Sequence, residues 1–232
     1  MTVFVVGIPF CNEPVVYPDV VAETFAAIER SSRRPAHVFV IDNGDVPWIP
    51  SAELIAVHDL IVERPRVNLG CAASWNRIYA LYPSALILNA DTAVAPETFE
   101  KMLAIPAPAV VLAHGFSCFR IDEEIRRRVG SFDEEFYPGY WEDTDYRRRM
   151  KLAGVPIYEW SVAVVATPVP GREMKATGIT HGKRGDVPYQ GWSGERRAWF
   201  YDCIENNKRR YVAKWGGMPS EERYVIPFGG VP

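Results

Sequence analysis

Two acidic spots carry residue types that could run a reaction together. Asn89-Ala90-Asp91 follows the apolar run Ala85-Leu86-Ile87-Leu88, and Trp141-Glu142-Asp143-Thr144-Asp145 precedes a basic helical stretch about fifty residues later. An acid at the carboxyl edge of a buried strand is placed to hold a hard cation, Mg2+ or Mn2+, against a diphosphate. Such ions take oxygen ligands and leave positions open for phosphate oxygens, so one or two carboxylates suffice. Asp91 suits that role, with Asn89 beside it. A second acid facing the same pocket can serve as a base, provided it comes within hydrogen-bond reach of the hydroxyl it deprotonates. Asp143 is assigned that role and Glu142 that of a neighbour that binds the acceptor or orients the site. The pairing suggests an enzyme acting on a nucleotide-activated substrate. The plain alternatives are a turn for Asn89 and Asp91 and helix-dipole capping for Glu142 and Asp143.

His181 lies in the polar segment Thr180-His181-Gly182-Lys183-Arg184-Gly185, a setting compatible with contact to a metal or a diphosphate. Arginine clusters at 126–128 and 147–149 and the run Lys208-Arg209-Arg210 are expected on solvated helix faces, because the chain has a net charge of -3 and no general pull toward nucleic acid. The aromatic residues Trp192, Trp199, Tyr201, Tyr211 and Trp215 are expected mostly in the core.

The elements that must position these groups follow a β-α rhythm. Val3 to Pro9 reads as a strand buried on both faces, Asp19 to Arg30 as a helix with Val21, Phe25 and Ile28 inward, and His37 to Ile41 as a strand ending in the turn Asp42-Asn43-Gly44-Asp45. Leu60 to Val62 is a short strand, Ala72 to Tyr82 a helix, Ala85 to Leu88 a strand and Pro96 to Leu103 a short helix. The pattern then loosens. Strands are expected at Val110 to Leu112, Phe116 to Ile121 and Val162 to Ala166. Helices are expected at Glu142 to Ala153 and Glu195 to Tyr211, the latter with Trp199 and Ile204 inward. The expected class is α/β: one mixed, mostly parallel, Rossmann-like sheet with helices on both faces. In such sheets ligands sit beyond the carboxyl ends of the strands, where Pro9 to Glu13, Asp42 to Asp45 and Asn89 to Asp91 all fall.

At 232 residues, 48% hydrophobic and 24% charged, the chain can bury one core, so one domain over 1–232 is expected, with a nucleotide-binding half at 1–105 and an acceptor half at 106–232. Four scattered cysteines without a CxxC pair point to reduced thiols rather than a zinc site. No segment approaches the roughly 18 apolar residues of a membrane span, and a cytoplasmic protein is expected. The motifs GxGxxG, GxxxxGK[ST] and GxSxG are absent, so dinucleotide binding, P-loop hydrolysis and an esterase elbow lack support.

In order along the chain, Val5-Val6-Gly7-Ile8-Pro9-Phe10-Cys11-Asn12-Glu13, Val40-Ile41-Asp42-Asn43-Gly44, Asn68-Leu69-Gly70 with Asn76, Leu88-Asn89-Ala90-Asp91-Thr92, Gly130 to Phe136 and Trp141 to Asp145 resemble the GT-A glycosyltransferases of the family 2 type. The likeness spans about residues 3 to 155. It implies that Pro9, Asn12, Glu13 and Asp42 line a pocket for base and ribose, which Asn68, Gly70 and Asn76 help to shape. It implies that Asp91 is the metal-binding acid of a DxD motif whose first position is Asn89 here, that Asp143 is the base of an inverting displacement, and that His181 is a C-terminal metal ligand. The implied reaction moves a sugar from a UDP-, GDP- or dTDP-linked donor to a hydroxyl of a glycan, a lipid-linked sugar, a protein side chain or a modified DNA base. A sugar nucleotidyltransferase and a non-catalytic nucleotide-sugar or glycan-binding module stand as the alternatives.

Overall fold

Among the described residues seven strands form one sheet, in the order 61–63, 37–42, 5–10, 86–88, 118–121, 110–113 and 157–160. The computed structural model describes residues 3–10, 18–113, 115–160 and 194–230. The elements, in chain order, are β1 (Val5–Phe10), α1 (Pro18–Glu29), β2 (His37–Asp42), α2 (Ala52–His58), β3 (Ile61–Glu63), α3 (Gly70–Leu81), β4 (Leu86–Leu88), α4 (Thr98–Ala104), β5 (Val110–Ala113), β6 (Cys118–Ile121), α5 (Glu123–Val129), α6 (Glu142–Leu152), β7 (Ile157–Trp160) and α7 (Gly194–Trp215). The α/β class expected from the sequence is the one observed.

Strands β3, β2, β1 and β4 run parallel, β6 runs antiparallel between β4 and β5, and β7 adds parallel to β5. The apolar runs are continuous because both faces of the sheet are covered, and successive side chains serve opposite faces. Phe4, Val6, Ile8, Val38, Val40, Leu86 and Leu88 join one core beneath α1 and α4. Phe39, Ile41, Ile87, Leu112, Phe119 and Ile121 join the other, with Trp75, Ile78 and Tyr79 of α3 and Tyr146 and Met150 of α6. Gly7 lets α3 approach β1 closely: a Cβ there would overlap Ile78 Cγ2.

Three elements escaped the sequence reading. Helices α2 and α5 are short, and α5 is mostly charge, so neither carries a strong apolar period. Strand β7 precedes the strand expected at 162–166, which lies outside the described residues. In α7 the inward residues are Phe200, Asn207, Tyr211, Lys214 and Trp215, whereas Trp199 and Tyr201 are exposed. The inward face thus begins one residue later than the expected Trp199. Several arginines expected on solvated faces instead tie segments together: Arg126 donates to the Pro83 carbonyl (2.7 Å) and Arg149 to the Val129 carbonyl (2.9 Å). Among the described residues no helix is long and apolar enough to cross a membrane.

Candidate functional site

The carboxyl ends of β1, β2 and β4 share one edge of the sheet, and β1 lies between the other two. This is where the chain reverses its order of strand addition, the usual position of a ligand crevice in such folds. The turn after β4 is pinned from both sides. Asn89 donates its N–H to the Ser117 carbonyl (2.8 Å), the Thr92 N–H returns to the Asn89 carbonyl (3.1 Å), and Thr24 of α1 donates its hydroxyl to the Ala90 carbonyl (2.8 Å). Asp91 is held half-buried on this turn, with the buried Thr92 hydroxyl 3.5 Å from Oδ1.

The edge beyond β2 is organised by side-chain amides. Asn43 is buried; it donates to Ser74 Oγ (2.8 Å) and accepts from the Leu69 N–H (2.9 Å), which fixes the start of α3. Asn68 accepts from the Gly70 N–H (2.7 Å). Gly70 has φ +74°, and a Cβ there would lie 2.8 Å from the Pro138 carbonyl oxygen, so a glycine is required where that loop crosses α3. Asp42 is buried and fully engaged: it accepts from the Gly44 and Trp48 N–H groups (3.0 and 2.8 Å) and from Arg64 (2.6 Å). Asn76 binds the backbone of Phe132 through both ends of its amide and also donates to Glu134. It therefore fastens α3 to the 132–134 loop. Pro9 sits in β1, opposite Ile41 of β2.

The second acidic spot is set by an unusual turn. Tyr140 and Trp141 have φ of 69° and 77°, left-handed values that cost roughly 1–3 kcal/mol each in residues with a side chain. Contacts from α7 hold them. Asn207 donates to the carbonyls of Tyr137, Gly139 and Tyr140 (3.2, 2.9 and 3.3 Å), and Trp141 packs on Tyr211, with ring centroids 5.2 Å apart. The same loop touches the start of α3, where the Cys71 N–H donates to the Pro138 carbonyl (2.8 Å). Helix α6 starts directly after the turn, so Glu142 and Asp143 open it against α3.

The three acids of one short motif end in different states. Asp145 is buried and consumed by structure: it accepts from Arg149 (2.8 Å) and from the Trp215 indole (2.9 Å), and Lys214 lies 2.7 Å away. Lys214 also reaches Asp133 (2.8 Å), which links α7, α6 and the 133 loop in one ionic knot. Asp143 is half-buried, with Oδ1 accepting from the N–H and hydroxyl of Thr144 (2.6 and 3.2 Å). Glu142 is only 5% exposed, and Oε2 has no hydrogen-bond partner among the described residues. Burial first, and the Asp143 charge second, raise its carboxyl from an ordinary 4.5 to about 8. A helix N-terminus stabilises a carboxylate by about 0.3–1 kcal/mol, less than desolvation costs here.

One thiol connects these groups. The ionisation of Cys71, the second residue of α3, is pushed well up, first by burial and then by Glu142, Asp143 and Asp91. Among the described residues no group of three or more His, Cys, Asp or Glu side chains forms a metal cage. Asn12, Glu13 and His181, with Lys183, Arg184 and Trp192, lie outside the described residues.

The sequence reading missed Cys71, Asn207 and Lys214. Cys71 could have been found from its place directly after Asn68-Leu69-Gly70. Asn207 and Lys214 act on loops some seventy residues away and carry no local signal.

No protein-family model matches the chain, and no curated protein sequence matches it. Solved structures do match. TarS of S. aureus superposes with a TM-score of 0.54 at 14% identity, over 70% of this chain and 36% of that one. The 1-349 portion of TarS in complex with UDP-GlcNAc gives 0.53 at 13% identity, over 74% and 60%. GalNAc-T7 with UDP, GalNAc and Mn2+ gives 0.58 at 12% identity, over 94% and 53%. The chain thus spans between about a third and three fifths of the length of these structures. The fold it shares with them is GT-A.

Proposed function

We propose that this chain transfers a sugar from a nucleoside-diphosphate sugar to an acceptor hydroxyl, with inversion at the anomeric carbon. The reading rests chiefly on Asp91, which follows β4 beside β1 at the carboxyl edge of a sheet whose fold is shared with TarS and GalNAc-T7. Such folds bind ligand at that edge. UDP is the nucleotide in the TarS and GalNAc-T7 complexes, and we take it as the first donor to test. The nucleotide belongs to the half at 1–105 and the acceptor to the half at 106–232, in a family 2-type arrangement. The proposal also sets the chain in the cytoplasm, where thiols such as Cys71 and Cys118 stay reduced.

Asp143 takes the proton from the acceptor hydroxyl as its oxygen attacks the anomeric carbon. The bond from that carbon to the diphosphate oxygen breaks, and the nucleoside diphosphate leaves with the electron pair. Thr144 orients the receiving carboxylate through Oδ1. The donor set fits a shared cation rather than a caged one: a single half-buried carboxylate, Asp91, on a turn pinned by Thr24 and Ser117. When bound, Mn2+ or Mg2+ would supply charge neutralisation for the departing diphosphate.

The test is release of free nucleotide from UDP-, GDP- and dTDP-sugars with Mn2+, alongside calorimetric binding of the nucleotides. The wild type should bind at least one nucleotide and slowly hydrolyse its sugar. Asp91→Ala should lose Mn2+-dependent binding. Asp143→Ala should bind as before and lose roughly 10²–10⁴-fold in turnover, the usual contribution of a general base. Binding without turnover in the wild type would favour a non-catalytic module.

A further inference from the structure

The outer face of α6 carries charge that the transfer reaction does not use. Thr144, Arg147, Arg148 and Lys151 recur at helical spacing and line one wall of a cavity of about 460 Å³. Val155 and Ile157 add apolar surface, and Tyr211 and Glu222 line the cavity from α7 and from the segment after it. The volume falls within the roughly 300–1,000 Å³ of ordinary ligand clefts. Like charges three and four residues apart disfavour a helix, so such a cation stripe calls for something to offset it. The helix dipole favours Lys151 in the last turn but does nothing for Arg147 and Arg148. Two carboxylates meet the three cations. Arg147 forks onto both oxygens of Glu159 (2.9 and 3.1 Å), yet both side chains are 42% exposed, so the pair is weak and readily exchanged. Arg148 stands 4.0 Å from Glu222, whose other oxygen accepts from the Tyr211 hydroxyl (2.6 Å). Arg148 also donates to the Tyr224 carbonyl (3.0 Å), and its Nε is buried without a hydrogen-bond partner. Lys151 is exposed and makes no ion pair among the described residues.

Two guanidinium forks and an ammonium on one wall match the oxygens of a phosphate, which accepts bidentate and point-charge donors together. The apolar surface beside them suits the carbon skeleton of a sugar. Thr144 ties the cleft to the reaction: it lines the cavity, and its N–H and hydroxyl both hold Oδ1 of the adjacent Asp143 (2.6 and 3.2 Å). We propose that this cleft seats the phosphate of a small phosphorylated acceptor, a sugar or polyol monophosphate, on Arg147, Arg148 and Lys151. The assignment rests on the transferase reading above and names the acceptor class. The volume holds one sugar phosphate, which favours a small acceptor over a nucleic acid.

Calorimetry at fixed ionic strength measures Kd for glucose-6-phosphate, ribose-5-phosphate and glycerol-3-phosphate, for their unphosphorylated parents, for inorganic phosphate and for single-stranded oligothymidylate. Wild type is compared with Arg147→Gln, Lys151→Ala, the double variant and Lys151→Arg, with thermal melts to report that each is folded. At least one monophosphate ester should bind more tightly than both its parent and inorganic phosphate. Arg147→Gln and Lys151→Ala should each weaken it about tenfold, roughly the effect of one charged hydrogen bond. Lys151→Arg, which keeps the charge, should bind as wild type does. Equal Kd values in wild type and the double variant overturn the cleft as the site, as does a wild type that binds none of the esters. Inorganic phosphate bound as tightly as the esters overturns the acceptor assignment. Oligothymidylate bound more tightly through the same residues overturns it in favour of a nucleic acid. Esters bound through these residues by a wild type that neither binds nor hydrolyses any nucleotide sugar overturn the transferase reading, and the acceptor role with it, while the phosphate site stands.

Discussion

Glu142→Gln tests the electrostatics of the site without any substrate. In the native chain the carboxyl keeps its proton up to a pH of about 8, mainly because burial disfavours its charge and secondarily because Asp143 repels it. Unfolded, it titrates near its ordinary 4.5. Below that value both states hold the proton and the residue is neutral toward folding. Between the two values the folded state binds a proton that the unfolded state has lost, so stability falls as pH rises, by about 1.4 kcal/mol per pH unit. The penalty reaches about 3 kcal/mol at pH 7 and levels off near 5 kcal/mol above pH 8. Glutamine has nearly the same shape and no charge to bury. The variant should therefore melt close to wild type at pH 5 and roughly 6–12 °C higher at pH 7, taking about 2–4 °C per kcal/mol for a chain of this size. Urea or thermal melts at pH 5, 6, 7 and 8 decide the matter. Wild-type and variant curves that stay parallel across that range would refute the claim that Glu142 is held as a buried, neutral acid.

Four further outcomes follow from the packing and the ion pairs. Lys214→Met should lower stability by about 3 kcal/mol in urea melts, because it strips the buried Asp145 and Asp133 of a shared cation. Asp145→Asn should likewise cost stability while leaving the Kd for nucleotide unchanged, whereas Asp143→Ala, two residues away, should keep both and lose turnover. Asn207→Ala should cost about 1–3 kcal/mol by removing its hydrogen bonds to three loop carbonyls, and should slow donor hydrolysis as the turn at Tyr140 and Trp141 loosens. Gly7→Ala should destabilise by about 1–3 kcal/mol by forcing Ile78 away from β1, measured as a lower melting temperature.

Much of the frame was legible in the residues themselves. Continuous β-branched and apolar runs such as Val5–Phe10 and Leu86–Leu88 can be stable only with both faces covered, which implies a largely parallel sheet and places Asp42 and Asp91 at its carboxyl edge. The helical spacing of Trp75, Ile78 and Tyr79 named the face of α3 that packs on that sheet. These signals are local: each depends on a period of two or 3.6 within a dozen residues.

What only the tertiary structure decided was the fate of each polar group once a core surrounded it. Composition alone does not tell the three acids of Trp141-Glu142-Asp143-Thr144-Asp145 apart, yet Asp145 is spent on Arg149, Lys214 and Trp215, Glu142 is buried and neutral, and Asp143 is half-buried with Oδ1 accepting from Thr144. Asp42, read as a pocket residue, is occupied by Arg64, and Asn76 by the Phe132 backbone. Burial and ion pairing depend on atoms delivered by α3 and α7, far along the chain, and a carboxylate's charge is set by that company rather than by its neighbours in sequence.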